Sequence, residues 1–304
     1  MMDDDARSPR RGVSSKGLEV SELTLDPSRR TAGTLHVVAT PVGHLDDVTL
    51  RAIRVLREVD LVACEDTRQT AKLLRAHGIA TPTTSYFEHN ERSKGEGILR
   101  VLRAGRSVAL VSDAGTPGIS DPGYRLVRDA RAEGIPVVPV PGPSAVLAAL
   151  SVSGLPTDRF LFVGFLPPRA GARRRALTEL IDVGPTLVFY ESPRRLIAAL
   201  SDMAEILGDR EAFLCREATK LHEEYLPGRL GELQHLLAGR GEVRGEVTVV
   251  VAGAGSRRET PGGEPEALYA QLVAEGRTRR EAVKEAARRL GLPAREVYRR
   301  VQGR

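Results

Sequence analysis

The stretch VALVSDAGTPGISDPG, Val108 to Gly123, decides the fold. Val108 to Val111 is a continuous apolar run, the pattern of a strand buried on both faces of a parallel sheet. From Ser112 to Ser120 the chain carries Gly115, Pro117 and Gly118, and Ile119 is the one large side chain. Asp121 then suits an N-cap and Pro122 a first helical position, so a helix is predicted from here to about Arg131 or Ala132, stopped by Gly134 with Pro136 beyond. Strand, small-residue loop and helix make half of a βαβ unit. In open α/β sheets ligands sit outside the carboxyl ends of the strands. The loop is therefore read as a ligand-contacting wall, because small residues let a ligand approach the backbone. A plain connection without a ligand is the competing reading.

Outward from this stretch the pattern repeats. Toward the N-terminus, strands are predicted at Leu35–Ala39, Leu61–Cys64 and Thr83–Phe87, with helices at Thr49–Val59, Thr67–His77 and Glu91–Ala104. In the first helix Leu50, Ile53 and Leu56 recur every three residues beside Arg51, Arg54 and Arg57, an amphipathic spacing. Toward the C-terminus come a strand at Val137–Val140, the turn Pro141-Gly142-Pro143 and a helix from Ser144 to about Ser151. Alternating strands and helices imply a mainly parallel sheet. Gly154-Leu155-Pro156 reads as a domain boundary. Beyond it, strands are predicted at Phe160–Phe165, Thr186–Tyr190, Ala212–Arg216 and Val247–Ala252, with helices at Arg173–Ile181, Pro193–Leu207 and near Leu230–Leu237. The expected organisation is a tail over 1–33, α/β domains over 34–153 and 154–254, and a Gly/Pro/Arg linker with a helical module over 255–304. The tail, rich in Arg, Asp, Ser and Gly, is expected to be disordered. The helical end, broken at Gly276 and Gly291–Pro293, resembles a small helix-turn-helix module.

Composition narrows the class. The 304 residues suggest two domains, 41% hydrophobic content supports ordinary cores, and the absence of Trp makes those cores aliphatic. A net charge of +5 is compatible with an anionic partner without demonstrating one. Cys64 and Cys215 stand far apart, so neither a disulfide framework nor a zinc site is expected, and a reducing cytoplasm is the default. No apolar run approaches the ~20 residues of a membrane span, and the first residues lack the apolar core of a secretory signal.

Eight stretches in order carry a resemblance: ATPVGHLDD (Ala39–Asp47), CEDTR (Cys64–Arg68), SDAGTPGISDPG (Ser112–Gly123), PGPSA (Pro141–Ala145), FVGFLP (Phe162–Pro167), FYESPRRL (Phe189–Leu196), REATKLHEE (Arg216–Glu224) and GEVTVVVAG (Gly245–Gly253). The chain from about Thr34 to Arg304 resembles the tetrapyrrole methylase superfamily, and within it the bacterial 16S ribosomal RNA (cytidine-2'-O)-methyltransferases. The resemblance implies two α/β domains with S-adenosylmethionine in the cleft between them, a homodimer, and a decoding-centre cytidine of 16S rRNA in the small ribosomal subunit as acceptor. It also implies donor contacts at Thr40, Pro41, Thr116, Pro117, Ile119, Ser144, Ala145, Phe165, Leu166, Ala218, Glu246 and Val247. Thr and Ser hydroxyls and free backbone groups suit the adenine, ribose and methionine parts of such a donor. Helix N-termini near Ser144 and Asp121 offer unpaired N–H groups for a carboxylate. Two positions depart from the family pattern, His44 where Asn is usual and Arg194 where His is usual.

The chemistry needs a proton acceptor near a ribose hydroxyl. Glu65 and Asp66, at the end of the second strand, and Glu191, at the end of a strand in the other domain, are the catalytic candidates, with Glu65 and Glu191 expected on opposite walls of one cleft. Asp66 reads equally as the N-cap of the following helix. Arg68 suits a phosphate or a pairing with Asp66. Arg169, Arg173, Arg174 and Arg175, clustered after FLPP, suit RNA phosphates, as does Arg194; a solvated helix start competes. No metal is expected. A Rossmann dinucleotide site is mimicked by Glu65, about twenty residues after the first loop, but GxGxxG and GxxxxGK[ST] are both missing. Two further alternatives are a methyltransferase for a small corrin-like substrate and a catalytically silent RNA-binding protein.

Overall fold

The computed structural model describes residues 32–255, 265–290 and 294–301. Most of the expected tail, residues 1–31, most of the linker, 256–264, and the break at 291–293 lie outside them. The described residues form two compact units, one ending at Ala252 and one beginning at Gly253.

The first unit holds two five-stranded sheets. In the first, β1 (Leu35–Val38), β2 (Leu61–Cys64), β3 (Thr83–Ser85), β4 (Val108–Val111) and β5 (Val137–Val140) lie in the order β3-β2-β4-β1-β5. All pairs are parallel, with Leu35 opposite Val108 and Leu61 opposite Val108 on the other side. Every residue of β2 and β4 is buried, as the uninterrupted apolar runs require. Helices α1 (Leu50–Glu58), α2 (Thr67–Ala76), α3 (Glu91–Arg103) and α4 (Tyr124–Ala132) cover the faces. One face packs Leu61, Ile98, Leu102, Val108 and Leu126; the other packs Leu56, Val62, Leu74, Ala109 and Val111.

The expected start of α4 is corrected. Its first residue is Tyr124 and its N-cap is Gly123, at φ 141°. That is glycine territory, and an added Cβ would stand 2.9 Å from Leu110. Asp121 and Pro122 therefore precede the helix and remain in the loop.

The second sheet comprises β6 (Phe160–Phe165), β7 (Thr186–Glu191), β8 (Glu211–Arg216), β9 (Glu224–Arg229) and β10 (Val247–Val251), in the order β6-β7-β10-β8-β9. Only β6 and β7 pair in parallel; the remaining neighbours are antiparallel. Strand β9 is absent from the sequence-based expectation. It sits at an edge, alternates between half-buried and exposed, and tolerates Pro227 and Gly228 for that reason. Helices α6 (Ala170–Thr178), α7 (Pro193–Leu207) and α8 (Leu230–Ala238) cover one face around Leu187, Phe189 and Val249. Helix α5 (Ala145–Val152) follows β5 of the first sheet but packs Val146, Ala149 and Leu150 on the other face, against Val188, Phe213 and Val250. It ties the two sheets into one body.

The second unit is a three-helix module of α9 (Pro265–Ala274), α10 (Arg279–Leu290) and α11 (Ala294–Val301) around Leu272, Ala282, Ala286 and Val297. Among the described residues no helix is long and apolar enough to cross a membrane.

Candidate functional site

Two clefts open at the carboxyl ends of the first sheet. The central cleft, of ≈ 380 Å³, lies between the loops of the first sheet and the strands of the second. That volume is in the range of small-molecule sites. The β4–α4 loop supplies Asp113 to Thr116 and Ile119 to Asp121, and the start of α5 supplies Ser144 and Ala145. The second sheet supplies Phe165, Tyr190, Glu191, Ala218 and Gly245 to Thr248. Of the twelve expected donor contacts, eight line this cleft: Thr116, Ile119, Ser144, Ala145, Phe165, Ala218, Glu246 and Val247.

The other four sit behind it. Thr40 is buried, forms an isolated bridge with Gly115 and donates its hydroxyl to the Ser112 carbonyl at 3.1 Å, so it fastens the first loop to the β4 loop. Pro41 follows it and Pro117 is buried within the loop. Leu166 packs in the core of the second sheet with Leu177 and Leu187.

The wall of the cleft is built for a ligand with both flat and polar parts. Phe165 is 55% exposed, and its ring and that of Phe162 lie 5.5 and 5.1 Å from the Tyr190 ring. The Ser144 side chain makes no capping bond at the start of α5, leaving its hydroxyl and the helix N–H groups facing the cleft. The Glu191 side chain is 1% exposed. One carboxylate oxygen takes Arg195 at 2.7 Å and the Ser192 N–H at 2.7 Å. The other, Oε2, is buried without a hydrogen-bond partner. Buried carboxylate oxygens are rarely left unpaired, and Glu191 is one of the residues lining the cleft.

A clasp joins loops of the two sheets. The His44 N–H donates to the Thr219 hydroxyl at 3.0 Å, joining the β1 loop to the loop after β8. Glu217 and Thr219 hold positive φ there, and Lys220 bridges Glu217 and Glu246.

The outer cleft, of ≈ 740 Å³, adjoins the first. Glu65, Glu91, Arg92, Tyr124 and Arg125 line it, and Ser120 and Asp121 line both clefts. The expectation that Glu65 and Glu191 share one cleft is corrected: Glu65 faces the outer cleft and Glu191 the central one. Burial raises the Glu65 carboxyl above its usual range, with Asp113, Asp121 and Asp66 adding to the shift. Burial likewise pushes Asp121 up to about 6, with Asp113 and Glu246 adding, while a hydrogen bond with Ser112 opposes. Asp121 is not among the sequence-based candidates, because Asp-Pro at a helix start reads as a cap. Its place outside α4 depends on the geometry of Gly123, which the sequence does not display.

The remaining carboxylate and the arginines are placed differently. Asp66 caps α2, accepting from the Arg68 N–H at 2.8 Å, and takes the Arg68 guanidinium at 2.8 and 3.1 Å. The Arg68 bonds hold its carboxyl down at about 2, well away from proton acceptance near neutral pH. Arg173 is buried and pairs with Asp202 at 2.6 Å; Arg174 pairs with Asp202 and Glu205. These two arginines are structural: they pin α6 to α7. Arg169 and Arg194 are exposed at the starts of those helices, and Arg175 is exposed on α6. No group of three or more His, Cys, Asp or Glu among the described residues is placed to hold a metal ion.

Two joined α/β sheets with a cleft at their junction define the class: a two-sheet α/β protein with a small-molecule site. Residues 34–234 match the family described as Tetrapyrrole (Corrin/Porphyrin) Methylases, and the chain belongs to that family. Within it, the chain is similar to proteins named ribosomal RNA small subunit methyltransferase I. The one from Micromonospora olivasterospora is 46% identical over 98% of this chain and 94% of its own length. Those from Halalkalibacterium halodurans and Pseudomonas aeruginosa are 48% and 50% identical, over 89% and 81% of this chain and 95% and 88% of theirs. Solved structures share the fold. A cobalt precorrin-4 methyltransferase of cobalamin biosynthesis superposes with a TM-score of 0.56 at 16% identity, over 72% of this chain and 94% of its own. A uroporphyrin-III C-methyl transferase from Thermus thermophilus, complexed with S-adenyl homocysteine, gives 0.52 at 24% identity, over 72% and 97%.

Proposed function

We propose that this chain binds S-adenosylmethionine in the central cleft and transfers its methyl group to the 2'-hydroxyl of a cytidine ribose in 16S rRNA of the small ribosomal subunit. The donor supplies, when bound, an electrophilic methyl group on a sulfonium sulfur. The observation that carries the reading is the central cleft itself: Phe165 and Tyr190, the uncapped start of α5 at Ser144, and Glu191 line one space of small-molecule size. The identity to rRNA methyltransferases over nearly the whole chain directs the reading to RNA rather than to a corrin-like acceptor.

Thr116, Ile119, Ser144, Ala145, Phe165, Ala218, Glu246 and Val247 form the donor walls; Thr40, Pro41, Pro117 and Leu166 hold those walls in place. Methyl transfer is an in-line displacement, so the chief task of these residues is to orient two reactants, worth ~7–11 kcal/mol in well-aligned pairs. Glu191 orients the donor through Oε2, with Arg195 fixing its carboxylate. Arg169, Arg175 and Arg194 meet RNA phosphates.

The expected homodimer is supported by apolar surface. Helix α5 buries Val146, Ala149 and Leu150 but leaves Leu147 and Val152 exposed, as Phe160 and Leu161 are at the start of β6. These exposed apolar side chains suit a second copy of the chain. The cytoplasm, where ribosomal subunits are assembled, is the compartment this reading requires.

Calorimetric titration with S-adenosylmethionine tests the donor site. Ile119→Arg places a long cation in the central cleft from an exposed loop position, so the folded variant is expected to lose donor binding by at least 100-fold. Unchanged affinity would overturn the assignment.

A further inference from the structure

We propose that the outer cleft receives the acceptor nucleotide and that Asp121, on the wall shared with the donor cleft, takes the proton of its ribose hydroxyl. This rests on the methyltransferase reading above and names the acceptor side of the same site. Three observations converge. First, Ser120 and Asp121 line both clefts, so a group bound in either meets the same short wall. A β-bulge at Gly164 brings β6 against that wall: a Cβ on Gly164 would stand 3.3 Å from the Ser120 hydroxyl. Second, the lining of the outer cleft matches an unstacked nucleotide. Tyr124 is 70% exposed, a face on which a base can stack. Glu65 offers a carboxylate to an exocyclic amine such as that of cytosine. Arg92, exposed at the start of α3, offers a phosphate contact. Third, Asp121 is the carboxylate at the junction, in the loop and free of helix capping because α4 begins after Gly123.

The ionisable groups facing Asp121 are mostly acidic. Glu65 and Asp113 come from the loops of the first sheet, and Tyr190, Glu191 and Glu246 from the second. Across the outer cleft stand Glu88, His89, Glu91 and Arg92 from the α3 side and Arg125 from α4, with Arg125 paired to Glu91 at 3.3 Å. Glu91 also accepts the Gly123 N–H at 3.1 Å, so it serves the scaffold.

In the step itself the ribose oxygen bonds to the methyl carbon as the carbon–sulfur bond breaks, and sulfur keeps the bonding pair. The hydroxyl proton passes to Asp121, leaving a neutral thioether and a neutral carboxyl in place of a sulfonium and a carboxylate. Balance needs no further reactant.

Single-turnover methylation at saturating RNA and donor tests this. Asp121→Asn keeps the size and is expected to lower the rate at saturating donor about 10²–10⁴-fold. In the native chain the rate should fall tenfold per pH unit below about 6, where burial places the Asp121 carboxyl, and this slope should vanish in the variant. Should Asp121→Asn fail to fold, Ser112→Ala serves: removing the hydrogen bond that lowers the Asp121 pKa moves the midpoint of the pH profile upward. Tyr124→Ala is expected to weaken RNA binding at least tenfold. A variant rate within threefold of native, an unmoved midpoint, or RNA affinity indifferent to Tyr124 would overturn the inference. A native chain that binds donor yet methylates no RNA would instead overturn the functional reading.

Discussion

Arg173 and Arg175 differ by two positions and by everything else. In the sequence they belong to one basic run, and a run of arginines after a loop suits phosphate. In the folded chain Arg173 turns inward to Asp202 while Arg175 is exposed. Removing Arg173 takes the buried partner from Asp202 and leaves it only the half-exposed Arg174, at about 1–3 kcal/mol for the lost charged hydrogen bonds. Arg173→Ala is therefore expected to destabilise the fold by that much in urea unfolding, and Arg175→Ala to leave the midpoint unmoved. The two variants exchange places in RNA binding: Arg175→Ala, with Arg169→Ala, should flatten the salt dependence by roughly one unit for each phosphate no longer neutralised. Residue identity makes the arginines visible. That Asp202, 29 positions away, lies in reach of Arg173 does not show, because no local pattern encodes it. The same holds for Asp66, whose capping role is one of two readings its sequence allows, and for Asp121, whose local pattern points to a cap it does not form.

At the scale of elements, most strands and helices are legible because parallel strands write themselves as apolar runs and helix ends as Gly and Pro. Helix α7 begins at the Pro193 and ends at the Leu207 that the pattern marks. Strand β9 escapes because its apolar content is that of a half-exposed edge. The clasp of the loop after β8 on the loop after β1 also escapes, since it joins residues 175 positions apart. Gly245 exposes that clasp to test. It sits at φ 93°, and a Cβ there would lie 2.3–2.5 Å from the Glu217 side chain, whose carboxylate accepts the Glu246 N–H at 2.9 Å. Gly245→Ala strains this backbone, at about 1–3 kcal/mol. It is expected to lower the unfolding midpoint and to weaken donor binding severalfold, because Ala218 and Glu246 wall the cleft. Calorimetry showing native affinity would separate the clasp from the donor site.

For the molecule as a whole, the organisation into two sheets follows from the order of the elements, but the junction does not. Helix α5, placed by sequence with the first sheet, packs on the second. That swap sets the carboxyl ends of β1, β4 and β5 against β7, β8 and β10, and leaves two clefts that share Ser120 and Asp121 as lining. On the proposed function, this pair of clefts holds a methyl donor and a ribose. The most direct measurement incubates the chain with small ribosomal subunits lacking the modification and S-adenosylmethionine, then maps 16S rRNA fragments by mass. The expected result is one added methyl group on the ribose of a decoding-centre cytidine, abolished by Ile119→Arg. Donor bound with no methyl on the RNA, or a methyl group on a base, would contradict it.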